Sequence, residues 1–168
     1  HASKATSTDV DKALKSAEKG LEIWKKTSPW KRSAVIRKIA DLIRVKQDVL
    51  AKWLTLEVGK PLAEGKGEVG VTADTFEWNS EETKRIYGQM VESRFEDTRI
   101  HVYYQPIGVV AAMSPWNFPI VLAGRKISTA LAAGCSVIIK PDVIAPGGVM
   151  ELVDICREAG VPPGVVNL

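Results

Sequence analysis

Cysteine is scarce: two residues, Cys135 and Cys156, in a chain of 168. That is too few for a disulfide scaffold, and neither stands at metal-ligand spacing, so no metal site is expected. Each lies in an apolar stretch, where a free cysteine usually serves as a small buried hydrophobe. The low count fits a reducing, cytoplasmic location. Long apolar runs are also missing, so no membrane span is expected, and no secretory leader pattern opens the chain. Net charge is small, 23 Lys and Arg against 20 Asp and Glu. That excess is too slight to call for a polyanion, and nucleic acid is not an expected partner. The charge is uneven, however: residues 1–60 hold 14 basic and 7 acidic side chains, residues 61–168 hold 9 and 13. The basic side chains of the first stretch are spread round segments that also carry apolar stripes, as solvated faces are.

What is present reads as one globular domain of 18.3 kDa, 45% hydrophobic and 26% charged. The first half is helical. Val10, Ala13, Leu14, Ala17, Leu21 and Trp24 share one stripe, after the N-cap types Ser7, Thr8 and Asp9. Pro29 opens a second helix with Ile36, Ile39, Ala40 and Ile43 on its stripe. A third carries Val49, Leu50, Trp53 and Leu54 and stops at Val58-Gly59-Lys60-Pro61. A longer one follows, striped by Val69, Ala73, Phe76, Ser80, Thr83 and Tyr87, and weakened at its start by Gly65, Gly67 and Gly70. Helical character thus spans residues 1–89.

Over residues 90–105 the pattern changes to a hairpin or edge strand, around Arg99-Ile100-His101-Val102-Tyr103-Tyr104; His101 is read as a surface residue. From 106 to 168 strand and helix alternate. Ile107–Met113 is an apolar run expected to be covered on both faces, and an apolar helix over 119–133 ends at Gly134. Ser136-Val137-Ile138-Ile139 is a second buried strand, a helix over 146–159 ends at Gly160, and Gly164–Leu168 begins a third strand. The expected class is α/β: N-terminal helices followed by part of a doubly wound parallel sheet.

In such a sheet ligands bind beyond the carboxyl ends of the strands. Two loops take that place: Ser114-Pro115-Trp116-Asn117-Phe118-Pro119 and Lys140-Pro141-Asp142-Val143. Neither is a glycine-rich phosphate loop. Two prolines bracket Asn117, so its amide is either held as a donor toward developing negative charge or spent as the N-cap of the next helix. Lys140 either reaches a phosphate or ribose hydroxyl or is simply solvated. Arg125, on an apolar helix, either pairs with an acidic residue or awaits a carboxylate-bearing substrate.

These residues resemble a known family. Pro106-Ile107-Gly108-Val109, Ser114–Pro119, Ala130-Leu131-Ala132-Ala133-Gly134-Cys135 and Ile139-Lys140-Pro141, in this order and at these separations, resemble the NAD(P)-dependent aldehyde dehydrogenase superfamily. Leu56-Glu57-Val58-Gly59-Lys60-Pro61, Phe76-Glu77-Trp78 and Lys84-Arg85-Ile86-Tyr87-Gly88 are similar to its succinate-semialdehyde branch. The resemblance implies a Rossmann-like cofactor domain, NAD or NADP as cofactor, a small aldehyde as substrate and a homo-oligomeric full-length enzyme. It assigns Asn117 to the oxyanion of the thiohemiacetal, in preference to the N-cap role, and Lys140 to the adenosine ribose. Ser114, Pro115 and Trp116 would line the cofactor cleft, with Pro141, Asp142 and Val143 beside the ribose.

Three departures qualify what is implied. NAD-selective members often carry glutamate where this chain has Val143, so NADP is not repelled there, although Asp142 restores some negative charge. Arg125 stands where members acting on semialdehydes or small hydroxyaldehydes carry arginine, which favours a carboxylate-bearing aldehyde such as succinate semialdehyde; Gly124 replaces that branch's usual threonine. The family's nucleophilic cysteine, glutamate base and glycine-rich turn lie beyond Leu168, and further strands normally precede His1. The chain is therefore expected to be part of a cofactor-binding domain without the catalytic domain, inactive alone. A non-catalytic module that keeps adenosine affinity through Lys140 and Trp116 is the alternative.

Overall fold

The computed structural model describes residues 4–168. Helix α1 (Ser7–Trp24) starts one residue ahead of the expected cap types: Thr6 is the N-cap, and its N–H and hydroxyl donate to the Asp9 carboxylate at 3.0 and 2.8 Å. Helix α2 (Pro29–Val45) has proline at its first position, and the Ser28 hydroxyl accepts from Lys31 N–H. Helix α3 (Gln47–Val58) ends at Gly59, whose φ of +70° is the left-handed turn that favours glycine. Helix α4 (Leu62–Glu82) runs into a single 3-10 turn over Thr83–Arg85.

The expected stripes of α2 and α4 face one another: Ile36, Ile39, Ala40 and Ile43 meet Val69, Ala73 and Phe76, all fully buried. Each large apolar side chain so enclosed contributes roughly 1.5–3 kcal/mol. Two stripes are shorter than the periodicity indicates. Val10 and Leu14 of α1 are exposed while Ala17 and Trp24 are buried, because only the second half of that helix meets the body of the chain. Tyr87 is exposed because helical geometry has ended before it.

Strands β1 (Gln89–Glu92) and β2 (Arg99–Val102) form an antiparallel hairpin, Gln89 opposite Val102, with His101 exposed. The alternating segment follows: β3 (Val109–Met113), α5 (Pro119–Ala133), β4 (Ser136–Lys140), α6 (Gly147–Ala159) and β5 (Val166–Asn167). The sheet is parallel in the order β3-β4-β5, as in one half of a doubly wound sheet. Burial separates its strands. Val137 and Ile139 of the central β4 are enclosed, but β3 is an edge strand: Ile107 lies outside it, 89% exposed, and Ala111 and Met113 face outward. The expectation that the first strand is covered on both faces is thus corrected; its apolar run includes a face that none of the described residues covers.

Helix α1 packs on the segments leading into β4 and β5. Trp24 Nε1 donates to Leu131 O at 2.9 Å, and a Cβ on Gly20 would stand 2.2 Å from the carbonyl carbon of Gly164. Only glycine permits that approach of two backbones. The uneven charge of the sequence also finds its explanation here. Arg37 pairs with Glu77 and Glu81, Arg44 with Asp74 and Glu77, Lys46 with Glu151 and Glu158, and Lys60 with Glu68. The basic surplus of the first 60 residues is thus met, in part, by carboxylates on α4 and α6. Hydrogen bonds from Arg44 and Arg37 hold the Glu77 carboxyl below its ordinary range. No helix among the described residues is long and apolar enough to cross a membrane, and they contain no cluster of potential metal ligands.

Candidate active site

The register of β3 on β4 sets Met113 opposite Lys140, so both loops singled out in the sequence leave the same end of the sheet. Ser114 N–H donates to Lys140 O at 3.2 Å and ties them together. The Ser114 hydroxyl is buried there with no hydrogen-bond partner. Lys140 is exposed, and among the described residues its ammonium reaches no acceptor but the carbonyl of Pro141, at 3.3 Å. Pro141 is half-buried. Asp142 is turned into its own loop, one carboxylate oxygen accepting from Ile144 N–H at 3.0 Å; Val143 beside it is 83% exposed.

Along the first loop Pro115, Trp116, Asn117 and Phe118 are exposed, and Pro119 begins α5. The N-cap position belongs to Phe118, not Asn117, and the cap itself comes from another helix. Glu68 of α4 accepts from Ile120 N–H and Val121 N–H at 3.0 and 3.2 Å, so a carboxylate sits on the positive end of α5. Its side chain is 1% exposed and is paired with Lys60, 11% exposed. Lys60 also donates to Asn117 O at 3.2 Å and lies 3.8 Å from the centroid of the Phe118 ring. The Asn117 main chain is thereby held from behind, while its side-chain amide forms no hydrogen bond among the described residues. The N-cap alternative for Asn117 is not realised.

The second loop ends similarly. Glu57 of α3 accepts from Gly147 N–H and Gly148 N–H at 2.6 and 3.2 Å and caps α6. Glu57, Lys60 and Glu68 are parts of this site whose role the sequence does not mark. The first two were legible as part of Leu56–Pro61, but the partners they would find were not.

Arg125 is exposed and forms no ion pair among the described residues. It lines a cleft of about 430 Å³ between α4 and the start of α5, together with Lys60, Val71, Phe118 and Leu122. Arg125 thus shares a concavity with the asparagine loop, whereas Lys140 belongs to the strand ends. On the other side of Arg125 a second cleft of about 570 Å³ runs along the bare edge of β3. Both cysteines are buried, Cys135 at the floor of the second cleft and Cys156 on α6, where burial pushes the thiol up to about 12.

This arrangement, an asparagine loop and a lysine strand end on adjoining parallel strands, coincides with a match to the aldehyde dehydrogenase family over residues 1–168. The chain belongs to the aldehyde dehydrogenase family. A succinate semialdehyde dehydrogenase of Acinetobacter baylyi is 44% identical over 160 residues, 95% of this chain and 33% of that protein. A glutarate-semialdehyde dehydrogenase of Pseudomonas putida is 42% identical over 165 residues, 98% of this chain and 34% of that protein. Among solved structures, an E. coli NADP dependent enzyme superposes with a TM-score of 0.93 at 42% identity, covering 95% of this chain and 33% of that one. The chain spans about a third of the length of the aldehyde dehydrogenases it matches.

Proposed function

We propose that this chain forms part of the cofactor-binding domain of an NAD(P)-dependent aldehyde dehydrogenase acting on a carboxylate-bearing aldehyde, succinate semialdehyde in the first instance. The observation that carries the reading is Asn117: an exposed, unpartnered amide on a main chain that is fixed from behind. A donor so prepared costs little to reorganise when negative charge gathers on an aldehyde oxygen, and it acts as one half of an oxyanion hole. In the full-length enzyme a cysteine thiolate from outside this chain would add to the aldehyde carbon, the thiohemiacetal so formed would lose its hydride to a bound nicotinamide, and water would cleave the resulting thioester. Arg125, free of ion pairs among the described residues and facing the same cleft as Phe118, is suited to hold the substrate's distal carboxylate.

The residues at the strand ends fit a nucleotide. The orphaned Ser114 hydroxyl offers a buried donor, the Lys140 ammonium an exposed one, and half-exposed Trp116 an apolar wall. When bound, the cofactor supplies the hydride acceptor. Val143 presents no carboxylate to repel a 2′-phosphate, while Asp142, one oxygen of which accepts from Ile144 N–H, keeps a negative charge beside it; these positions admit both NAD and NADP. The exposed β1–β2 hairpin is the element we assign to subunit contacts.

Two measurements test this. A polypeptide carrying this segment within the family's full length is expected to form NAD(P)H from succinate semialdehyde, and this chain alone is not; appreciable turnover by the chain alone overturns the assignment of the nucleophile to a region outside it. Calorimetry of the chain with NADP, NAD and AMP is expected to show binding that weakens on Lys140→Ala. Equal heats for both proteins remove Lys140 from the nucleotide site.

A further inference from the structure

We propose that Lys60 and Glu68 are positioning residues for Asn117: a buried ion pair, built by the Gly59–Pro61 turn and the second turn of α4, that fixes the asparagine loop from behind. What Asn117 does rests on the aldehyde dehydrogenase reading above; how it is held rests on contacts within this chain.

The pair addresses the backbone on both sides of the asparagine. One carboxylate oxygen of Glu68 takes the N–H groups of Ile120 and Val121. The other takes the Lys60 ammonium. That ammonium, with three N–H bonds to satisfy, meets the Glu68 carboxylate, the Asn117 carbonyl at 3.2 Å and the face of the Phe118 ring. Residues 117–121 are thus gripped at a carbonyl, a ring and two amides, and the Asn117 side chain is left without a hydrogen bond among the described residues. A buried ion pair is a weak device for stability, since desolvation offsets most of its attraction. An apolar pair of the same volume would fill the space equally well. It would not hold a carbonyl and two amides in register, and that register fixes where the Asn117 amide points. Gly59 and Pro61 serve the same end, because the left-handed turn and the proline send Lys60 back across α4 toward the loop. The sequence therefore separates the donor from its support by 57 residues, and only the fold joins them.

The test uses the full-length polypeptide that carries this segment, with succinate semialdehyde as substrate. Lys60→Met is expected to lower kcat about 10- to 100-fold, as a shift on the order of 1 Å in a reacting group does. The KM for the cofactor should stay within about twofold, because the strand-end contacts are untouched. Glu68→Gln keeps the shape and the amide contacts but removes the charge, and should give a smaller loss of the same kind; it carries the test if Lys60→Met does not fold. In an Asn117→Ala background the Lys60→Met loss should shrink to less than about twofold, because the group it positions is gone. Hydrogen exchange at the amides of residues 118 and 120–122 should rise in Lys60→Met and, because a neutral oxygen accepts less strongly than a carboxylate, to a smaller degree in Glu68→Gln. Losses that multiply in the double variant, or exchange that does not change, overturn the proposal. A folded full-length protein that oxidises no aldehyde removes the reading of Asn117 itself, and the proposal with it; an active wild type leaves the decision to the variants.

Discussion

The two loops at the carboxyl end of the sheet are built alike and anchored differently. Each leaves a parallel strand, and each runs into a helix whose first amides are capped by a glutamate from the helical layer, Glu68 for α5 and Glu57 for α6. Glu68 is sealed in and neutralised by Lys60, whereas Glu57 is only half-buried and has no basic partner among the described residues. The consequence is a division of labour. The asparagine loop is clamped on both sides of Asn117, while the lysine loop is closed mainly by its own Asp142 turn and keeps Lys140 and Val143 in solvent. On the proposed function, rigidity falls on the oxyanion donor and openness on the ribose side.

The comparison breaks first at Glu68. Glu68→Ala strands the Lys60 ammonium and two amides in the interior, and urea denaturation should show a loss of about 3–5 kcal/mol. Next comes Asn117. In the full-length enzyme Asn117→Ala should lower kcat about 100- to 1000-fold, the ordinary result of removing one oxyanion donor, with little change in cofactor KM. The helix behind the second loop carries a pH signature of its own. Burial raises the Cys156 thiol from 9.0 to about 12. Between those values the unfolded chain has lost its proton and the folded chain has kept it, so stability falls as pH rises, by about 1.4 kcal/mol per unit. Urea denaturation should show stability that begins to fall near pH 9.0 and approaches that slope toward pH 11, and Cys156→Ala should remove this contribution. The smallest effect belongs to Glu57. Glu57→Gln should cost only about 1 kcal/mol, the usual worth of a helix cap, and act on cofactor binding more than on kcat. If Glu57→Gln costs as much as Glu68→Ala, the two anchors are equivalent and the contrast disappears.

Much of this architecture was readable from local signals. Proline at the first position of α2 and α5, Gly59, Gly134 and Gly160 at helix ends, and the apolar runs of β3 and β4 mark boundaries that the structure keeps within one or two residues. Periodicity failed where covering depends on something other than the segment itself. Val10 and Leu14 share a stripe with Trp24 but lie beyond the body of the chain, and the apolar run through β3 is open on one side. The two site loops were legible as proline-bracketed and lysine-ended turns. Their supports were not, because Lys60 and Glu68 look like any surface pair until α4 is laid against α5.

The sequence by itself determined the elements, their order and the residue types offered at the strand ends, because caps, turns and hydrophobic period act over a few neighbouring residues. Tertiary structure alone decided which face each apolar stripe met, how the basic surplus of the first 60 residues found carboxylates, and what holds the Asn117 main chain. Those outcomes depend on contacts between residues tens of positions apart. Nothing in the local backbone chooses such partners; they are fixed only when burying one helix against another leaves a charge that must be answered.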